Sequence, residues 1–290
     1  MSLFNQLVDE AIRSLPQFAP LRVVVEKELL HHDILREMSR AGFLHKLTFI
    51  GGTCLRACYG SPRLSEDLDF TGGSDFAKDA LAELGSVLVE RLEIKYGLPV
   101  AVSTPIREEG NVDTWKLRVV TRPDRKYLPA QRINIDICAL PSHDRRPMMV
   151  RNHYGVDMGT SGLILQAQSL DEIFADKIVA FAMRPNRLKN RDLWDIVWLH
   201  QQGIALPVEL VLLKVADRRL ELSAFMKQLG QRQALLQLES ECRKDFLKEM
   251  QRFLPPKVVS ENLEQEAFWV FLVDLVAGLC EQVRRAGLKS

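Results

Sequence analysis

Two acidic residues with a spacing suited to metal chemistry follow a pair of glycines early in the chain. Asp67 and Asp69 lie two residues apart in the segment Asp67–Phe70, which is predicted to be a short strand. Side chains at positions i and i+2 of a strand project from one face, with Cα atoms roughly 6.5 Å apart. Two carboxylates placed in this way repel each other, and a divalent cation offsets that repulsion. The alternative is a solvated strand end followed by a turn.

A third carboxylate lies on a strand predicted further along the chain. The segment Arg132–Leu140 alternates, with isoleucines on one face and Asn134, Asp136 and Cys138 on the other. An unpartnered buried aspartate is costly, so Asp136 has either a basic partner or a place in the metal site. Three carboxylates around two ions about 3.5 to 4 Å apart, Mg²⁺ or Mn²⁺, suit in-line attack on a phosphorus atom.

The glycine pair is itself a candidate binding element. The strand predicted at Leu47–Ile50 ends in Gly51 and Gly52, and Thr53 is predicted to cap a short helix that runs to Tyr59. Glycine lets backbone N–H groups approach phosphate oxygens at the positive end of a helix, so this turn can cradle a triphosphate. A plain tight turn is the alternative.

The remaining pattern indicates two domains. β-branched strands at Val100–Ile106, Thr114–Thr121 and Arg132–Leu140, with a short strand at Leu163–Gln166, predict a central mixed sheet. A long amphipathic helix is predicted from Phe76 to Tyr96, and every segment after residue 168 has helical periodicity. We therefore expect an α/β domain with N-terminal helices over residues 1–168 and an all-helical domain over residues 169–290. The predicted helices of that second domain are Leu170–Met183, Arg191–Gln202, Pro207–Lys227, Glu239–Phe253 and Ser260–Arg284.

Composition excludes several classes of protein. The 290 residues include 39 Lys or Arg and 38 Asp or Glu, so the overall charge favours no partner. Five scattered cysteines without a CxxC pair indicate a reduced, cytoplasmic chain. The most apolar stretch, Ala267–Cys280, contains Asp274 and is shorter than the roughly 20 residues that a membrane span needs, so we expect no membrane contact.

Taken together, these residues resemble a known family. Gly51-Gly52-Thr53-x-Leu55-Arg56, then Tyr59-Gly60, then Arg63-x-Ser65-x-Asp67-x-Asp69-Phe70 is similar to the first motif of the AbiEii-type nucleotidyltransferases, toxins of bacterial abortive-infection and toxin–antitoxin systems. Asp176-Lys177 and Arg191-Asp192-x-x-Asp195 resemble that family's later motifs. The matches extend over residues 49–199. The resemblance implies an α/β fold of the DNA polymerase β-like superfamily, a mixed sheet with helices, followed by an all-helical C-terminal domain.

The resemblance also implies a role for each matching residue. Asp67 and Asp69 would bind the metal, with Asp136 as the third ligand, and Lys177 would pair with the triphosphate. Asp192 would be an essential carboxylate that the helical domain contributes to the site. The nucleotide-binding set would be Gly51, Gly52, Thr53, Arg63, Ser65, Lys177 and Asp195.

The second motif has alternative interpretations. Lys177 lies in the apolar helix Ile173–Val179, where a lysine must reach solvent or meet an anion; Asp176 or Asp171 would be simple partners. Asp192 begins the next predicted helix and could be a plain N-terminal cap.

Basic residues near both motifs predict a polyanionic acceptor. Residues 118–151 contain eight Lys or Arg against three Asp, and residues 184–191 contain four more without an acid. The basic residues are Arg118, Arg122, Arg125, Lys126, Arg132, Arg145, Arg146, Arg151, Arg184, Arg187, Lys189 and Arg191. RNA is the expected acceptor, and the resemblance implies the 3′ end of tRNA, inhibition of translation and a cognate antitoxin. Alternatives are a solvated basic loop, a small-molecule or protein hydroxyl as acceptor, and a non-catalytic NTP-binding module.

Overall fold

The computed structural model describes residues 2–105, 110–125, 127–185, 188–238 and 240–288. The chain forms two compact units, residues 1–168 and residues 169–290. Four residues named in the sequence predictions lie outside the described residues. They are Ile106, Lys126, Arg187 and Glu239.

The first unit is built on a seven-stranded mixed sheet. Its strands are β1 (Thr48–Ile50), β2 (Leu68–Thr71), β3 (Val100–Ser103), β4 (Val112–Val119), β5 (Gln131–Cys138), β6 (Arg145–Met149) and β7 (Ile164–Gln168). They lie in the order β3-β4-β5-β2-β1-β7-β6, with β2–β5 and β1–β7 parallel and the other pairs antiparallel. The predicted mixed sheet is confirmed. β6 was not predicted because this edge strand is largely exposed and lacks alternation.

Helices cover one face of this sheet. They are α1 (Leu3–Ser14), α2 (Arg22–Arg40), α3 (Gly51–Cys54), which continues as a π-helical turn at Leu55–Tyr59, and α4 (Leu84–Tyr96). α2 packs on β5, α4 packs on β3, and the two helices pack on each other. Ile133, Ile135 and Ile137 are at most 1% exposed, so the predicted alternation of β5 is confirmed.

The helix predicted from Phe76 begins later than expected. A 3₁₀ turn at Lys78–Leu81 precedes α4, which starts only at Leu84. α4 ends before Gly97, whose left-handed conformation terminates the helix as the sequence predicts.

The second unit is helical, as predicted. Its helices are α5 (Leu170–Met183), α6 (Asn190–Gln201), α7 (Val208–Asp217), α8 (Leu222–Leu238), α9 (Ser240–Met250), α10 (Pro256–Val258), followed by a π-helical turn at Val259–Leu263, and α11 (Glu266–Gly287). The single helix predicted at Pro207–Lys227 is wrong: the chain breaks between α7 and α8, where Arg219 has a φ of +54°. Across the described residues, no helix combines the length and apolar character needed to cross a membrane.

A buried carboxylate on α2 connects four segments of the first unit. Glu28 is 5% exposed, and its oxygens accept hydrogen bonds from Arg56 Nε at 3.2 Å, the Ser65 amide at 3.0 Å and the Tyr154 hydroxyl at 2.5 Å. Arg56 lies in the turn after α3, Ser65 lies before β2, and Tyr154 lies between β6 and β7. Glu28 therefore holds both halves of the first sequence motif against α2.

The surroundings of Glu28 keep this carboxylate ionised. Burial alone would raise its pKa, but the charge of Arg56 and the hydrogen bonds from Tyr154 and Ser65 bring the pKa below its ordinary value of 4.5. A lowered folded-state pKa stabilises the fold above the ordinary value, and this contribution is lost as the pH falls through the folded pKa.

Glu28→Gln should therefore destabilise the first unit. At neutral pH we expect the free energy of unfolding to fall by about 3 to 5 kcal/mol, because the variant leaves the buried charge of Arg56 unpaired. The difference from the unmodified chain should shrink as the pH is lowered below 4.5. Urea denaturation over a pH series measures both effects.

Asp144→Asn is the matched control. Asp144 pairs with Arg146 at 2.9 Å, but the two side chains are 41% and 59% exposed, so the expected cost is about 0 to 1 kcal/mol. A loss in Glu28→Gln no larger than in this control would contradict the assigned role of Glu28.

Candidate active site

The glycine turn lies directly against the carboxylate of Asp69. Gly51 follows β1 with a φ of +76°, a left-handed conformation that favours glycine. A Cβ atom at Gly51 would lie 2.8 Å from Asp69 Oδ2. The antiparallel register that pairs Ile50 with Asp69 produces this close approach. The strand end and the acidic motif therefore form one site, with partly exposed glycines beside a carboxylate.

Thr53 joins the two halves of the motif and does not cap a helix. The prediction of a cap is wrong, because the helix already begins at Gly51 and Ile50 is its N-cap residue. The Thr53 hydroxyl instead donates to the carbonyl of Asp67, and its oxygen lies 2.6 Å from Ser65 Oγ. Since the only hydroxyl hydrogen of Thr53 is used on Asp67, Ser65 donates to Thr53.

Arg63 contributes to the same loop from inside. Its side chain is buried, and its Nη1 donates to the carbonyl of Leu64 at 2.9 Å. The guanidinium thus supports the backbone just before Ser65.

Three partly exposed carboxylates lie on two neighbouring strands or directly before one of them. Asp69 on β2 and Asp136 on β5 are direct partners in the parallel register, so their side chains share one face of the sheet. Asp67 lies one residue before β2, and its Oδ1 accepts a hydrogen bond from the backbone N–H of Asn134 at 3.0 Å. Asp136 Oδ1 accepts the hydroxyl of Thr114 at 2.7 Å. The sheet thereby brings the three predicted acids to adjacent positions.

The donor atoms suit a hard divalent cation that arrives with a nucleotide. In the part of the chain that the structure describes, no three His, Cys, Asp or Glu side chains are gathered closely enough to hold a metal by themselves. Mg²⁺ is usually bound by one or two carboxylates together with substrate phosphates and water. The adjacent carboxylates of Asp69 and Asp136 fit that mode, and the Gly51 turn supplies the neighbouring place for phosphates.

Several supporting residues were missed by sequence reasoning. Glu28, Tyr154 and Thr114 hold the site from outside the motif, and no local pattern identifies their partners. Arg56 is part of the quoted motif, but its role as partner of Glu28 needed the fold. Cys54 lies beside the site, yet burial raises the pKa of its thiol, so it is a neutral packing group and not a nucleophile.

In the second unit, Lys177 joins a buried cluster of charges. Its Nζ lies 2.6 Å from Asp192 Oδ1 and 2.7 Å from Asp195 Oδ2, and Arg184 Nε lies 2.8 Å from Asp192 Oδ2. Burial alone would raise the pKa of Asp192, but Lys177, and after it Arg184, hold it well below its usual range. The structure therefore brings all three predicted residues of this unit together.

Both simple alternatives for the second motif are wrong. The ion pairs of Lys177 are with Asp192 and Asp195 on α6 and not with the sequence neighbours Asp171 and Asp176, and Asp176 pairs with Arg218 at 2.7 Å and with Lys214 at 3.4 Å. Asp192 makes no cap, since the N-terminus of α6 has no side-chain capping bond and both carboxylate oxygens contact cations. Both assumptions were based on sequence neighbours, whereas the actual contacts join α5 to α6.

Gly51→Ala should disturb Asp69 specifically. The added Cβ would collide with Asp69 Oδ2, so we expect affinity for a nucleoside triphosphate with Mg²⁺ to fall by at least about tenfold, roughly 1.4 kcal/mol. Gly42→Ala is the matched control, because Gly42 has a similar φ of +78° and nothing within 4 Å of a Cβ. Backbone strain should lower the thermal stability of both variants by a similar amount, and the collision with Asp69 should add to the loss only in Gly51→Ala. Equal nucleotide affinity in the two would contradict this account.

Lys177→Met should destabilise the helical unit. It leaves two buried carboxylates, Asp192 and Asp195, without their shared cation, at an expected cost of about 3 to 5 kcal/mol. Arg184→Met is the control, since Arg184 is 40% exposed and should cost roughly 1 kcal/mol. Denaturation of the full chain followed by tryptophan fluorescence tests this, because Trp194, Trp198 and Trp269 all belong to this unit. An equal cost for both variants would argue against the buried cluster.

Comparison with known proteins supports the resemblance to the AbiEii family. The family model for the nucleotidyltransferase AbiEii toxin of type IV toxin–antitoxin systems matches residues 33–272. That range contains every predicted site residue. No curated protein matches the sequence.

Solved structures share the fold at low sequence identity. MenT4, a nucleotidyltransferase toxin from Mycobacterium tuberculosis H37Rv, is 17% identical, with a TM-score of 0.62 over 97% of this chain and 92% of that one. JHP933 from Helicobacter pylori is 16% identical, with a TM-score of 0.50 over 91% and 96% of the two chains. The α/β fold with a helical C-terminal region is confirmed, and nucleotidyltransferase is the enzyme class of the matching family. Because the family model covers most of its length, this chain belongs to the AbiEii nucleotidyltransferase toxins of type IV toxin–antitoxin systems.

Proposed function

We propose that this toxin transfers a nucleoside monophosphate from an NTP to an RNA acceptor, the 3′ end of tRNA, in a Mg²⁺-dependent reaction that inhibits translation in the cytoplasm. The observation that carries the proposal is the close approach of Asp69 to Gly51, with Asp136 in register beside it. Carboxylates that flank a place for phosphates are the arrangement that phosphoryl-group transfer requires.

The side chains and amides of the first unit have separate roles in this proposal. The amides of Gly51 and Gly52 bind the triphosphate, and Asp67, Asp69 and Asp136 would hold Mg²⁺, which offsets the charge of the phosphates and of the leaving group. Thr53 and Ser65 act as positioning residues, because they fix the acidic loop against the glycine turn.

The reaction is a single displacement at phosphorus. The acceptor hydroxyl oxygen forms a bond to the α-phosphorus, the bond from that phosphorus to the β-phosphate oxygen breaks, and pyrophosphate leaves. The hydroxyl proton passes to the carboxylate of Asp136, which lies on the side of Asp69 away from the glycine turn.

The residues of the second motif are also assigned to the reaction. Lys177, Asp192 and Asp195 match the family motif, and their buried cluster holds the Lys177 ammonium in one place. We assign them to NTP-dependent activity in addition to their contribution to stability.

The partners follow from the family and from charge. A type IV toxin has a cognate antitoxin, and an NTP is the substrate of a nucleotidyltransferase. The basic residues of 118–151 favour a polyanionic acceptor, and RNA meets this requirement.

A labelling experiment tests the function. The purified chain with labelled NTPs, Mg²⁺ and total tRNA should produce labelled RNA. Asp67→Asn and Asp69→Asn should each lower labelling by about a hundredfold or more, because each removes a carboxylate that would hold Mg²⁺ at the reacting phosphates. Asp144→Asn, which changes an exposed carboxylate of the same unit, should label RNA normally.

The outcomes separate the parts of the proposal. Label in protein or in a small molecule instead of RNA would contradict RNA as the acceptor but not the nucleotidyltransferase class. Undiminished labelling by Asp69→Asn would contradict the assignment of Asp69 to the active site. Labelling that persists when EDTA removes divalent cations would contradict the Mg²⁺ dependence.

A further inference from the structure

A row of cationic side chains lies on the face of the sheet that carries the candidate site. Lys116 and Arg118 on β4 and Arg132 on β5 are exposed, and they alternate with buried neighbours such as Trp115, Leu117 and Ile133. Register pairs Arg118 with Arg132 and Lys116 with Asn134. We call these three side chains the basic strip.

The basic strip leads to the candidate site along the same face. Arg132, Asn134 and Asp136 occupy alternate positions of β5, so about 13 Å of strand separates Arg132 from Asp136. Asp136 is in turn the direct partner of Asp69 on β2. The strip and the carboxylates therefore form one continuous surface.

The charges of the basic strip are not neutralised within the described part of the chain. There, none of its three side chains forms an ion pair or a side-chain hydrogen bond. Two arginines directly opposite each other on adjacent strands repel, which destabilises the sheet. A bound anion would offset this repulsion.

The position of the basic strip in the sheet indicates that it contacts the acceptor and not the NTP. In the sheet order β4-β5-β2-β1, the glycine turn follows β1, whereas the strip lies on β4 and β5. At about 4.8 Å per strand, β5 and β1 are roughly 10 Å apart, and Asp69 lies between them. A triphosphate held at Gly51 leaves the strip for the other substrate.

We propose that the basic strip binds the phosphate backbone of the nucleic-acid acceptor and directs its terminal hydroxyl toward Asp136. This inference rests on the proposed function and adds the path of the acceptor. The strip has guanidinium and ammonium groups and no aromatic ring among its three members, so it contacts phosphates and does not stack on bases. Binding should therefore tolerate changes of RNA sequence and weaken steeply with salt.

The test removes the two opposed arginines. The probe is bulk tRNA, and its equilibrium binding to the full chain is measured without NTP over a range of salt concentrations. Arg118→Thr with Arg132→Thr should make the dependence of log affinity on log salt less steep by about 1.4, taking about 0.7 for each lost phosphate contact. The ratio of the tRNA affinity of the unmodified chain to that of the threonine variant should then fall about sevenfold between roughly 50 and 200 mM salt.

Two controls accompany this variant. Arg13→Ala with Arg91→Ala removes the same charge from exposed positions on α1 and α4, outside both basic segments, and should keep the original salt dependence. Arg118→Lys with Arg132→Lys keeps a point charge at each position and should also keep it, because phosphate contact needs charge more than bidentate geometry. Threonine suits exposed strand positions, so the test variant should melt no lower than the unmodified chain.

Three results would overturn the proposal. One is an unchanged salt dependence in the threonine variant, and another is an equal change in the Arg13 and Arg91 control. The third is a matching loss of NTP affinity in the threonine variant, which would assign the strip to the triphosphate. If the unmodified chain labels RNA but the threonine variant keeps the original salt dependence, the role of the basic strip is contradicted and the proposed function is not. If tRNA binding depends on the strip but the unmodified chain labels no RNA, only the proposed function is contradicted.

Discussion

The ionised carboxylate of Glu28 is the interaction on which the candidate site depends. It accepts hydrogen bonds from Arg56 after the glycine turn and from Ser65 before the acidic strand, so one buried charge sets the distance between two motif halves. Replacing a buried ion pair by apolar side chains is often neutral for stability. We infer that the Glu28–Arg56 pair is kept here because its hydrogen bonds fix the orientation of the two motif halves more strictly than apolar packing would.

Features that repeat along the chain could be predicted from the sequence. The alternation of β5 predicted which side chains face the core and which face the site, because a strand has a local period of two. α5 was predicted with the observed ends, since Ser169 caps its first turn and an apolar pattern continues to Met183. The acidic motif was likewise visible as a spacing within a few residues.

Features that depend on contacts between distant segments could not be predicted. The register that places Asp69 beside both Gly51 and Asp136 joins three strands that are far apart in sequence. Thr53 obeyed the local rule for a cap, but the carbonyl of Asp67 offered its hydroxyl a better partner. The partners of Lys177 were misjudged for the same reason, because they lie on the following helix.

The π-helical turn at Leu55–Tyr59 has a consequence for how this gene can change. Each residue of an α-helix turns the chain by about 100°, so deleting one residue from the turn would re-aim everything that follows it. Gly60 lies tightly against Arg151, and the chain from there to Asp67 is held by Glu28 and Thr53. Insertions and deletions should therefore be rare between Gly51 and Asp69 in working toxins. Natural length variation should accumulate instead in surface loops outside that range.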